Sequence, residues 1–253
     1  MRKSFTFLLC TAANYVSNAF DLPPLDGHFF YADFTASGPY GMHQMQLGVG
    51  SQQKVFDVLV TTSQYQLALI TTNCRQYICN VPDKIDTSNN IDGTLVQGSS
   101  FNNMNINLNT GRRLTQTTIE GNQYQTELGL VWYRWHRETK FQQNVLGIDF
   151  SSVSFKTPTS GWIGLAPYTS NLGKKDDNFM NQLRNSGKIS HNVVSFYTQN
   201  APGNSSVIKF GSWDTAGMAP DASMKMFRTR DLNSWQLKAN QFAFGNQDLK
   251  FPN

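Results

Sequence analysis

From Met42 onward, apolar and polar residues alternate along the chain. Met45, Leu47 and Val49 are interleaved with polar or small residues, and Phe56, Val58 and Val60 repeat the pattern. A period of two is that of a half-buried β-strand, and Gly50-Ser51 between the two runs predicts a hairpin. Leu67 and Leu69 predict another short strand. Residues 80–103, rich in Asn, Asp, Ser and Gly, read as loop. Met104, Ile106 and Leu108 alternate up to the turn signal Asn109-Thr110-Gly111. Two strands flanking Glu120-Gly121-Asn122 then predict a long hairpin from about Leu114 to Trp135. Residues 141–166 carry two more apolar runs. A helix is predicted over Asp177 to Ser186, with Asp177 as its cap, Phe179 and Leu183 on one face, and Gly187 ending it. Ser195-Phe196-Tyr197, Val207 to Phe210, Trp235-Gln236-Leu237 and Phe242-Ala243-Phe244 read as later strands, the last followed by the turn signal Gly245-Asn246. Ahead of Met42, Pro23, Pro24 and Pro39 mark residues 20–40 as extended or loop. Many short strands with one helix make an all-β protein, a barrel or a sandwich-like domain.

Composition agrees. Of 253 residues, 39% are hydrophobic and 13% aromatic, enough for a real core, and only 15% are charged. The amino terminus changes the picture more. Arg2 and Lys3, the mostly apolar stretch Phe5 to Val16, and the small residues around Ser17-Asn18-Ala19 have the layout of a secretory signal over residues 1–19. This stretch is too short to span a bilayer and no later segment does better, so no membrane span is expected. Removing Arg2 and Lys3 lowers 21 basic residues to 19 against 17 acids, which leaves little for a nucleic-acid partner. The remaining basic cluster, Arg134, His136, Arg137 and Lys140 interleaved with Trp132, Tyr133 and Trp135, reads as a solvated strand face and its turn. Of three cysteines, Cys10 lies in the leader, and Cys74 and Cys79 remain as a close pair that a secreted chain joins in a disulfide. Two cysteines cannot close a zinc site, and His28, His43, His136 and His191 fall in no motif. No metal or other cofactor is expected.

Several segments, in order, resemble the amino-terminal half of the pepsin-like aspartic proteases. Val49 to Ser63 resembles the strand pair that leads into Asp-Thr-Gly in that family. Leu67 follows, then Cys74 and Cys79 at the spacing of the family's small disulfide loop. Ser160-Gly161-Trp162-Ile163-Gly164-Leu165-Ala166 resembles Asp-Gly-Ile-Leu-Gly-Leu. Phe179 to Tyr197 resembles the helix and strand after it, Ser206 to Asp214 the Phe-Gly-Gly segment near the lobe boundary, and Trp235-Gln236-Leu237 an early strand of the second lobe. The resemblance covers about residues 40–250. It implies a pepsin-like barrel lobe over 41–214, preceded by the 20–40 segment, and an incomplete second lobe over 215–253. It also implies a flap hairpin whose tip is Glu120-Gly121-Asn122.

The family's chemistry needs two carboxylates that share one proton and hold one water, one acting as base and the other as acid. Here the matching triplet is Thr61-Thr62-Ser63. A threonine hydroxyl does not ionise near neutral pH without a dedicated base, and no second Asp-Thr-Gly occurs before Asn253. Asp57, four residues back, lies roughly 13 Å away at about 3.3 Å per residue and reads as a solvent-facing strand residue. Ala68 stands where the family has tryptophan, so a bulky support under the flap is expected to be lost. Tyr124 is three residues past Gly121, too far along to take the flap tyrosine's role.

The sequence therefore points to a secreted or endomembrane-lumenal pseudoprotease, without catalytic residues, that holds a peptide or protein in the remnant cleft. Gln64, Tyr65 and Gln66 are the polar candidates there. Two other readings stay open: a protease fragment completed by a partner chain, and a truncated product whose exposed second-lobe strands associate. Asn204-Ser205-Ser206 is an N-glycosylation sequon.

Overall fold

The computed structural model describes residues 27–37, 42–74, 79–109, 114–132, 137–152, 159–167, 177–198 and 206–213, together with Phe7–Cys10, Trp235, Phe242–Phe244 and Gln247–Leu249. In chain order the strands are β1 (Phe7–Cys10), β2 (Phe30–Ser37), β3 (Met42–Val49), β4 (Lys54–Thr61), β5 (Leu67–Ile70), β6 (Thr94–Leu95), β7 (Phe101–Asn109), β8 (Leu114–Trp132), β9 (Arg137–Ser151) and β10 (Gly161–Gly164). The helix α1 (Phe179–Asn185) precedes β11 (Val193–Tyr197), β12 (Ser206–Phe210), β13 (Phe242–Phe244) and β14 (Gln247–Leu249).

The alternation read from the sequence is the alternation of burial. Phe56 and Val58 of β4 are fully buried, while Lys54, Val55 and Asp57 are exposed. Each such buried side chain is worth roughly 1.5–3 kcal/mol relative to solvent, so the register of β4 is held by its inward set. β3 and β4 form the expected hairpin, closed by a four-residue turn over 50–53. Gly50 has φ +76°, and the Gln53 N–H and side-chain amide both donate to the Gly50 carbonyl. Strands β3, β4, β10, β5, β9 and β8 close on one another through a β3–β8 pairing into a six-stranded barrel. Leu47, Phe56, Val58, Leu67, Leu69, Leu128, Phe141, Val145 and Ile163 fill it.

From β3 the sheet continues outward through β2, β12, β11 and β1. The 20–40 segment, expected to be extended or loop, thus contributes β2, whose Phe30, Ala32 and Phe34 point into the core. β1 pairs antiparallel with β11, from Phe7 opposite Phe196 to Cys10 opposite Val193. These four residues belong to the expected leader, and cleavage after Ala19 would leave β11 as the sheet's edge.

Two local expectations are corrected. The turn placed at Glu120-Gly121-Asn122 does not form: all three residues lie inside the 19-residue strand β8. β8 pairs antiparallel with β7 instead, with Leu114 opposite Asn109, and the residues between those two lie outside the described ones. Gly121 marks a close approach instead. The register slips between Glu120 and Gly121, and a Cβ on Gly121 would lie 1.9 Å from the Gly147 carbonyl oxygen. A glycine inside a strand often signals such a bulge. The helix cap is Asn178, whose carboxamide accepts from the Asn181 N–H at 2.9 Å, and not Asp177, which accepts from the Gln123 side chain at 2.8 Å. The rest of the helix reading holds. Phe179 and Leu183 are fully buried, and Gly187 follows the C-cap with φ +71°. Phe179 seats α1 edge-on against Phe141 and Phe210.

β13 and β14 pair antiparallel with Phe244 opposite Gln247; the expected turn at Gly245-Asn246 lies outside the described residues. Trp235 lies outside any strand and its indole N–H donates to the Leu165 carbonyl at 3.0 Å; the rest of the expected 235–237 strand lies outside the described residues.

Candidate functional site

Thr61 ends β4, and main-chain bonds fix where it stands. β4 runs parallel to β10 with Leu59, Val60 and Thr61 opposite Trp162, Ile163 and Gly164. Beyond Thr61 the chain folds back over the end of β10. The Leu165 N–H donates to the Thr61 carbonyl at 2.8 Å, Gly164 to Gln66 at 2.9 Å, Ala166 to Gln64 at 2.7 Å and Phe179 to Tyr65 at 2.9 Å. The turn from 61 to 66 is therefore anchored by four peptide N–H groups of a neighbouring strand, its continuation and the helix start. The approach is so close that only glycine fits at 164: an added Cβ would lie 2.5 Å from the Gln64 carbonyl group and 2.6 Å from the Gln66 oxygen. Buried peptide groups must be paired, and this arrangement pairs them irrespective of which side chain position 61 carries.

That side chain is a hydroxyl turned in on its own turn. Thr61 Oγ1 lies 2.8 Å from Ser63 Oγ and accepts from the Ser63 N–H at 3.2 Å. Among the described residues no carboxylate bonds to it. Asp57 is exposed on the same strand, its carbonyl accepting from the Ser160 N–H at 2.8 Å. Thr62 is exposed, and Ser63 is half-buried. A hydroxyl does not ionise near neutral pH without a dedicated base. Gln64, Tyr65 and Gln66, expected to face a ligand, are 7%, 7% and 5% exposed; they are buried because the turn packs against β10 and α1.

The expected loss of bulk beneath the β7–β8 hairpin is also corrected. Ala68 is fully buried and stands directly opposite Trp162 of β10, itself 2% exposed. The two share a cluster with Ile119, Leu146 and Ile148, against which Leu59, Phe101 and Met104 pack. The indole is thus present under the hairpin, carried by the neighbouring strand. The signal was in the sequence: Trp162 occupies the isoleucine position of the Asp-Gly-Ile-Leu-Gly-Leu stretch, but only the strand pairing shows that it adjoins Ala68.

The remaining candidates disperse. Cys74 and Cys79 are buried and form the expected disulfide, with Cα atoms 6.0 Å apart. His28 is exposed and His191 half-buried. His43 is half-buried with its ring edge-on to Phe34 at 4.9 Å, and burial holds its imidazole below the ordinary value. Tyr124 is buried against Gly147. Lys140 is exposed; residues 133–136 of the basic-aromatic stretch, and Asn204, lie outside the described residues. No group of three or more His, Cys, Asp or Glu side chains gathers at metal-binding spacing among the described residues.

No curated protein matches the chain. Residues 42–251 match the family described as eukaryotic aspartyl protease. That span takes in the hairpin leading to Thr61, the disulfide loop, the β10 strand that cradles the turn, and α1, so the chain belongs to the eukaryotic aspartyl protease family.

Proposed function

We propose that this chain is a catalytically inactive member of its family, a pseudoprotease that binds a peptide or protein segment in the remnant of the cleft. The observation that carries the proposal is the hydroxyl at Thr61, bonded to Ser63 where the family's mechanism requires an ionised carboxylate. Hydrolysis by this family takes a pair of carboxyl groups, because one must hold the proton that the other lacks. Removing one member removes both roles. A partner chain supplying an aspartate would still face Thr61, so completion in trans does not restore the pair.

Binding is supported by the face that survives. What the end of β4 leaves open to a ligand is Thr61, half-buried, and Thr62, exposed, while the Ala68–Trp162 pair and the Phe101 and Met104 side chains packed against it form the support underneath. The Cys74–Cys79 disulfide favours a secreted or lumenal setting, since such bonds persist in oxidising compartments. No described helix is long and apolar enough to cross a membrane.

The test is to incubate the purified chain at acid pH with a mixed peptide library, then capture the protein and identify what is retained. Retained, uncut peptides are the expected result. Cleavage that disappears in Thr61→Val would overturn the proposal, and retention of no peptide would remove its binding half.

A further inference from the structure

Along one edge of β8 stand β7, β6 and β3 in turn, and β9 fills the other edge. β7 pairs with β8 from Phe101 opposite Gly121 to Asn109 opposite Leu114, and among the described residues it pairs with no other strand. Its far edge therefore offers main-chain N–H and C=O groups to whatever lies beside it. Sheets guard such edges with very short strands, charge, proline or bulges. β6, at the end of the sheet, is guarded by its length of two residues. β7 is nine residues long and contains no charged residue and no proline. Its one irregularity, the register shift between Phe101 and Met104, lies at its start; from Met104 to Asn109 the pairing with β8 is unbroken.

What this edge fits is set by its alternation. Asn103, Asn105, Asn107 and Asn109 alternate with Met104, Ile106 and Leu108. Antiparallel strands place directly opposite residues on the same face. A two-fold axis through Ile106 sets Met104 opposite Leu108, Asn105 opposite Asn107, Asn103 opposite Asn109, and Ile106 opposite its own copy. Asparagine then meets only asparagine, and apolar residues meet only apolar ones. An axis half a residue away would set every asparagine against an apolar residue. An axis through Asn105 brings Leu108 against Asn102, and one through Asn107 brings Met104 against Thr110. The match over residues 103–109 is full only at Ile106, so the pattern specifies a register.

We propose that two copies of this chain pair through β7, antiparallel about a two-fold axis at Ile106, so that one sheet runs through both. The contact is isologous: the same edge serves both partners and is used up in pairing, which gives a closed dimer and not a fibre. Depending on which alternate peptide groups face outward, about four to six main-chain hydrogen bonds cross the axis. An unrelated extended segment would gain those bonds too, but it has no reason to repeat the alternation that a second copy repeats by identity. The pairing is independent of what Thr61 does.

Sedimentation velocity of the full chain over a range of concentrations is the first measurement, and a reversible monomer–dimer equilibrium is expected. Asn105→Lys with Asn107→Lys sets like charges opposite each other twice across the axis and should weaken the dimer by about tenfold or more. Asn105→Glu with Asn107→Glu should do the same. Mixing the two variants sets opposite charges in both places and should restore a heterodimer. If a variant does not fold, amide hydrogen exchange of the wild type decides: alternate amides between Met104 and Asn109 should slow as the concentration rises. A chain that is monomeric throughout overturns the proposal. So does a dimer that the lysines leave unchanged, a mixture that fails to recover, or exchange that ignores concentration. Capture of an unrelated extended peptide by a monomeric chain overturns it as well, because the edge then has a different occupant.

Discussion

Replacing Trp162 by alanine tests whether the indole and Ala68 share one volume. Trp162 is 2% exposed and Ala68 is fully buried, and they face each other across the β10–β5 pair with Ile119, Leu146 and Ile148 around them. The described neighbours that enclose the indole are themselves buried or packed against it. Trp162→Ala should therefore cost about 3–5 kcal/mol, the range for emptying a tryptophan-sized volume. Ala68→Trp alone forces a second indole into a filled space and should cost about 1–3 kcal/mol or more. The double exchange, Ala68→Trp with Trp162→Ala, keeps the summed volume, and volume-conserving core changes are the best tolerated. It should be more stable than the sum of the single losses predicts, by well over about 1 kcal/mol. Urea unfolding followed by far-ultraviolet circular dichroism gives midpoint and slope for all four proteins. If the double loss equals the sum of the singles within about 0.5 kcal/mol, the two positions do not share a volume and the reasoning fails.

Gly164→Ala should unfold or severely destabilise the protein, because the new methyl would stand 2.5 Å from the Gln64 peptide group; a soluble variant with an unchanged unfolding midpoint would refute the close approach. Cys74→Ser with Cys79→Ser should cost about 2 kcal/mol, the loop-closure value for a bridge spanning five residues in sequence, read as a lower midpoint than that of the oxidised protein. Burial holds His43 below its ordinary value of 6.5, so the folded state keeps the ring neutral where the unfolded chain takes a proton. Its contribution is intact above about pH 6.5 and declines as the pH falls through the lowered folded value. The midpoint of the wild type should drop more steeply on acidification than that of His43→Phe, and parallel curves would contradict the assignment.

The strand pattern was legible because burial on one face leaves a period of two in the sequence, as Phe56 and Val58 against Val55 and Asp57 show. The family was legible because the motif segments from Val49 to Trp235 fall in order along the chain, and the match over residues 42–251 agrees. Gly121 was misread because a glycine that permits a turn and one that permits close packing look alike along the chain, and only the Gly147 carbonyl beside it tells them apart. Asp177 was preferred to Asn178 as the cap because both are good capping residues and one position separates them; Gln123, 54 residues away, holds Asp177. Trp162 was quoted and its meaning missed, since the partner that explains it is on another strand.

The four main-chain hydrogen bonds that cradle residues 61–66 make the scaffold of this corner indifferent to what it displays. A family whose reactive group was itself a strut would collapse on losing it. Here the strut is main chain, so position 61 can change its side chain and leave the architecture around it intact.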